Sequence, residues 1–140
     1  MIEGLNAKYI QALAPISVAG GATATTVEID TIGFDYAEFL VMAGLIPATG
    51  FATLKIQESD VTGSGQADIT GAGWTALVDA DDGKIVACFL DLRRRKRFLT
   101  LVAINGITNA SLIACLVRLS RAEQIPATAT ARGFGQQLTV

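Results

Sequence analysis

Along much of this chain apolar and polar residues alternate one by one, and Gly, Asn and Asp break the alternation at short intervals. Only extended backbone converts a period of two into one buried and one solvated face, so the pattern commits the chain to β-strands. In "YAEFLVMAGL" (36–45) it places Ala37, Phe39, Val41, Ala43 and Leu45 on one side. In "FATLKIQES" (51–59) it turns Ala52, Leu54 and Ile56 inward and Thr53, Lys55 and Gln57 outward. "ATTVEID" (24–30) alternates too, and Gly33 and Asp35 predict a bend after it. Further strands are expected over 84–92, 97–105 and 110–120, with a short one around Trp74–Val78 after the turn-rich 60–73. "DADDG" (79–83) is turn chemistry. "NGITN" (105–109) predicts a hairpin between the last two strands, since Asn-Gly readily takes positive φ. Seven or eight short strands separated by such turns describe an all-β sandwich or barrel.

The ends differ from the middle. "LNAKYIQALA" (5–14) reads equally as helix or strand, so residues 1–23 are an N-terminal arm or a first strand. Residues 24–121 form the expected β-sandwich domain. Beyond Arg121 come Pro126, Gly133 and Gly135 with no amphipathic period, which makes 122–140 either a frayed tail or a C-terminal arm laid over a neighbouring subunit. Ile125, Phe134, Leu138 and Val140 favour the arm.

Composition narrows the class. At 51% hydrophobic residues the chain is too apolar for disorder, yet no window offers the roughly 18 uninterrupted apolar residues of a transmembrane helix. The N-terminus lacks a basic stretch followed by a long apolar one, so synthesis in the cytoplasm is expected. Charged residues make up only 17% and the net charge is −2, a surface poor in charge that favours an oligomer. Cys88 and Cys115 sit in the apolar runs "IVACFLDL" and "SLIACLVRL" without CxxC spacing. Buried reduced thiols are the expectation; a cross-strand disulfide is the alternative.

Chemistry is hard to place. The absence of histidine removes Ser-His-Asp and Cys-His activation and the usual imidazole metal ligands. Carboxylate pairs such as Glu58/Asp60 or Asp79/Asp81 lie in or beside turns, where water keeps both members ionised and unsuited to glycoside hydrolysis. "DADDG" begins like a calcium loop but no glutamate closes it, and "GSGQ" and "GAGW" lack the lysine and helix of a phosphate loop. No catalytic residue, cofactor or metal is expected.

The densest charge is the run Arg93, Arg94, Arg95, Lys96 and Arg97. Alternate residues of a strand face opposite ways, so five cations in a row belong to a turn or strand edge. Paired with Asp91 and other acids they are a solvated corner; unpaired they suit carboxylates or phosphates on a partner. Nucleic-acid binding spreads cations along a stripe and interleaves aromatics. Phe98 is the sole aromatic nearby and the pI is about 5.0, so direct nucleic-acid contact is not expected.

The stretches "TTVEIDTIGFDYAEFLVMAG", "FATLKIQESD", "ADITGAG" and "LDLRRRKRFLTLVA" together resemble small virion proteins of tailed bacteriophages, most of all capsid decoration (cement) proteins. The resemblance spans roughly 24–125. It departs at Arg94, where the group has glycine, and at Val61, where it has a second aspartate. It implies an antiparallel β-sandwich, jelly-roll-like with extended terminal arms, that sits as a homotrimer on the virion surface and binds the major capsid protein. It supplies no catalytic motif. The candidate partner-binding residues are Arg93, Arg94, Arg95, Lys96 and Arg97 with Ile125 and Phe134 in the C-terminal arm. Two alternatives stand beside it: a neck, tail or head-fibre component, and a small carbohydrate-binding β-sandwich that stacks Trp74, Tyr9 or Tyr36 on sugar.

Overall fold

The computed structural model describes residues 3–48, 50–106 and 109–138. A 3-10 turn, Glu3–Asn6, leads into β1 (Ala7–Val18). There follow β2 (Thr23–Thr25), β3 (Ile29–Asp30), β4 (Phe34–Ala43), β5 (Phe51–Ser59), β6 (Ala67–Trp74), β7 (Ile85–Asp91), β8 (Phe98–Asn105) and β9 (Ser111–Ala122). One sheet has the order β1-β9-β4-β7; the other runs β2-β8-β5-β6, with β3 also paired to β8. From β6 onward successive strands alternate between the sheets, and every pairing between strands is antiparallel. With β2 and β3 counted as one interrupted strand, this is the two-sheet jelly roll.

The core lies between the sheets. Phe39 and Val41 on β4 and Val117 and Leu119 on β9 are fully buried, as are Leu54 and Ile56 on β5 and Leu99 and Leu101 on β8. Each such side chain contributes about 1.5–3 kcal/mol by leaving water. The period-two expectation holds on β4 for Ala37, Phe39, Val41 and Ala43. It fails at Leu45, which lies beyond the strand end and is 67% exposed. It fails again at Ala52: a register shift between Phe51 and Thr53 inserts one residue against β8, so Phe51 takes the buried place and Ala52 faces water.

Two other expectations are corrected. The strand foreseen around Trp74–Val78 is β6, which ends at Trp74 and runs back through the segment read as turns. The 105–109 segment does not close a hairpin, because β8 and β9 belong to different sheets and the connection crosses between them. Ile107 and Thr108 of that segment lie outside the described residues. Of residues 5–14, left open between helix and strand, Ala7 onward is strand, with β1 paired to β9 from Ala7 to Val18. As an edge strand β1 accommodates Pro15, whose missing N–H costs no ladder bond.

The C-terminal segment returns to this edge instead of extending away. The Tyr9 N–H donates to the Arg132 carbonyl at 2.7 Å, and Arg132 Nε donates to the Leu5 carbonyl at 3.1 Å. The rings of Tyr9 and Phe134 stand 4.8 Å apart. Gly133, at φ 89°, lies so close that a Cβ there would overlap the Tyr9 carbonyl. Residues 132–134 therefore cover the open margin of β1 at Tyr9.

Candidate interaction surfaces

The basic run forms the corner between β7 and β8, as the parity argument requires. Leu92–Arg94 is a 3-10 turn whose N-cap, Asp91, accepts from the Arg93 N–H at 3.1 Å. Asp91 also binds the Arg93 guanidinium, and that hydrogen bond holds its carboxyl down at about 2. Arg97 grips Asp30 through two bonds, Nε–Oδ1 at 2.8 Å and Nη2–Oδ2 at 2.7 Å, which lower the Asp30 pKa. Arg95 reaches Glu58 at 3.5 Å and Lys96 reaches Asp60 at 3.9 Å. Arg94 has no ion-pair partner among the described residues and lines a depression of about 540 Å³ with Asp91, Arg93 and Arg95. Four of the five cations are thus paired within the chain, which leaves Arg94 as the free charge of the corner. Of the two apolar candidates in the tail, Ile125 is 56% exposed, whereas Phe134 is half-buried against Tyr9 of its own chain.

The groups weighed for chemistry are occupied by structural bonds. Glu58 accepts from the Lys96 N–H at 3.0 Å. In the 79–82 turn, Asp79 accepts from the Ala80 N–H, Asp81 from the Val78 N–H, and Asp82 from the Ile46 N–H at 2.6 Å. Among the described residues no group of three or more His, Cys, Asp or Glu is placed to hold a metal. Both cysteines are free thiols. They sit on β7 and β9, either side of β4, opposite Phe39 and Val41, so about two strand spacings (~10 Å) part them and no disulfide can span the gap. Burial pushes the Cys115 thiol up to about 12 and raises Cys88 as well.

Among the described residues the aromatic side chains form no row. Trp74 is half-buried at the junction of the sheets, where its Nε1 donates to the Ala87 carbonyl at 3.3 Å. Tyr36 lies between the guanidinium groups of Arg93 and Arg121, at 5.8 and 5.7 Å from its ring centre. Tyr9 carries Phe134.

What the sequence reading missed is the contrast between the two outer faces. On the β2-β8-β5-β6 sheet Lys55, Gln57, Thr100 and Asp68 project outward, tied by Lys55–Asp68 at 2.8 Å and Gln57–Asp68 at 2.7 Å. The outer face of the β1-β9-β4-β7 sheet is built in rows across the strands. One row is Tyr9–Arg118–Glu38–Phe89, the next Gln11–Leu116–Leu40–Ala87, and the next Ala114–Met42–Ile85. Glu38 and Arg118 pair at 2.8 Å, and past them the rows are almost wholly apolar. At that end Pro15, Ile16, Met42 and Leu112 border a groove of about 400 Å³. The sign was present in "KIVACFLDL" and "SLIACLVRL", which are apolar at both parities and so carry hydrophobic side chains on both faces. No helix of the described residues is long and apolar enough to cross a membrane.

No family model and no curated protein matches the chain. Among solved structures, a protein of Bacillus endospore appendages, from a family of disulfide-linked pili, aligns over 81% of this chain and 89% of its own at 18% identity and a TM-score of 0.43. A family GH115 4-O-methyl-α-glucuronidase with specificity for decorated arabinogalactans aligns over 81% of this chain and 16% of its own, at 13% identity and a TM-score of 0.40. Both are loose likenesses that bear on neither ligand nor activity.

Proposed function

We propose that this chain is a non-enzymatic virion protein, a capsid decoration protein that binds the major capsid protein and stabilises the shell. The observation that supports a contact role is the outer face of the β1-β9-β4-β7 sheet, which leaves Phe89 and Ile85 in water at 72% and 64% exposure. A monomer gains nothing from holding large side chains there; a protein that works by covering surface does. The capsid as partner comes from the resemblance carried by "TIGFDYAEFLVMAG", "FATLKIQESD" and "LDLRRRKRFLTLVA". The β7–β8 corner with Arg94 and the exposed Ile125 are the elements nominated for that contact.

The mechanism is mechanical. A contact of about 1,600 Å² per copy, repeated over a lattice, must be exposed again before capsomers can separate. Pressure from packaged DNA then works against that area as well as against the capsomer contacts. The test is to mix the purified protein with expanded, undecorated capsids and pellet them. Co-sedimentation together with a higher capsid disruption temperature is expected; protein left in the supernatant at micromolar concentration sinks the capsid assignment.

A further inference from the structure

We propose that the apolar outer face of the β1-β9-β4-β7 sheet is covered by the same face of a second copy of this chain, related by a two-fold axis. The inference rests on reading this face as a contact surface, and does not depend on the capsid as partner.

Phe89 and Ile85, with Leu112 at 43% and Met42 at 39% exposure, leave roughly 400 Å² of side chain in water. The half-buried Leu40 and Leu116 and the exposed Ala87 adjoin them and carry the patch toward the ~800 Å² that each partner contributes to a stable interface.

The ionic pair nearest the apolar rows is Glu38–Arg118, which cancels within one copy. A face of net zero charge meets its own duplicate without like-charge repulsion, which a face of single sign could not do.

Phe89 stands opposite Glu38 on β4, while the groove lies by Met42, four residues further along the same strand and about 13 Å away. Projection and groove share one face. A two-fold axis between them seats each copy's Phe89 over the other's groove, closing the contact after two chains. A threefold ring, as the resemblance implies, needs projection and groove on different sides of the subunit.

Edge pairing is the alternative to this face. The Ala43 N–H donates to the Lys84 carbonyl, so the main-chain groups of even-numbered β7 residues point to β4 and those of Ile85, Ala87 and Phe89 point outward. The middle one is taken, because Trp74 donates to the Ala87 carbonyl. Strand addition along β7 is obstructed at its centre, and the face remains.

Sedimentation velocity and light scattering on the full chain at about 50 μM test the pairing. The expected mass is twice the 14.6 kDa of one chain. Phe89→Asp and Ile85→Lys should each weaken association about 100-fold or more, whereas Thr70→Asp, exposed on β6 of the other sheet, should leave it unchanged. Both substituted side chains already stand in water, so circular dichroism should show the variants folded. A wild-type mass of one chain, a mass of three chains, or variants that associate like wild type would overturn the proposal. Capsid pelleting run in parallel keeps the two readings apart: pairing without pelleting removes only the capsid, and pelleting without pairing removes only the two-fold contact.

Discussion

Asn105 ends β8 in one sheet, yet its side chain works on the other. Its amide nitrogen donates to the Val18 carbonyl at 2.7 Å and the Asn109 carbonyl at 2.8 Å, with the Ala19 carbonyl at 3.2 Å. Its carbonyl oxygen accepts from the Ser111 hydroxyl at 2.9 Å. Two amide hydrogens cannot serve three acceptors fully, so about three good bonds are at stake. Asn105 is 2% exposed and Ser111 is fully buried. Asn105→Ala therefore strands the Ser111 hydroxyl in a place closed to water and removes the amide bonds to the Val18 and Asn109 carbonyls. At about 1–3 kcal/mol for the stranded hydroxyl and about 1 kcal/mol for each lost bond, the loss should be about 3 kcal/mol. For a chain of this size that corresponds to a fall in Tm of about 10 °C. Urea unfolding followed by tryptophan fluorescence measures it. Asn105→Asp should be at least as damaging, since it removes the donors and buries a charge, while Ser111→Ala should cost less. The double variant Asn105→Ala/Ser111→Ala should fall short of the summed single losses, because removing both partners leaves fewer stranded groups. If Asn105→Ala melts within about 0.5 kcal/mol of wild type, the view that this side chain joins the sheets is wrong.

Gly133→Ala should push residues 132–134 off β1, and trypsin should then cut after Arg132 about tenfold faster while the core melts almost unchanged; an unaltered cleavage rate would contradict the close approach to Tyr9. Asp91, Asp30, Asp68 and Glu28 all have lowered pKa values, through hydrogen bonds from Arg93, Arg97, Lys55 and Thr62 respectively. Their stabilising effect is complete above the ordinary carboxylate range and is lost as pH falls toward about 2, so Tm should stay level from about pH 7 to 5 and drop below about 4. A decline already between pH 7 and 5 would refute this, since the chain has no histidine to titrate there. Cys115, with its thiol held near 12 by burial, should resist a thiol reagent in native protein and react at once in denaturant; rapid native labelling at Cys115 would show the core open.

Much of the fold was legible because alternation is a local signal. Ala37, Phe39, Val41 and Ala43 needed no knowledge of their neighbours to be assigned inward. The errors arose where a partner strand decides. Ala52 faces outward because of a bulge against β8, and a bulge is defined by the opposite strand. Residues 67–74 look like turns, with Gly71 and Gly73, but pairing to β5 overrides that weak preference. Asn105-Gly106 carries hairpin chemistry in the sequence, whereas in the fold the Asn is a buried polar hub between sheets. The basic run was placed correctly at a corner by parity alone. Pairing with Asp91 was among the readings the sequence offered, but the distant acids were not legible: Asp30 lies 67 residues before Arg97. The apolar outer face could have been read from the unbroken hydrophobic runs of β7 and β9, had parity been applied to both faces and not only to the inward one.

Both lateral margins of the β1-β9-β4-β7 sheet are stoppered, one by residues 132–134 and the other at its midpoint by Trp74. To grow sideways into a ribbon, the molecule would first have to peel away its own C-terminal segment or evict an indole. Crowded to high local density, such copies resist fusing into fibres along this sheet, and assemblies built on it must grow through side-chain surfaces of finite extent.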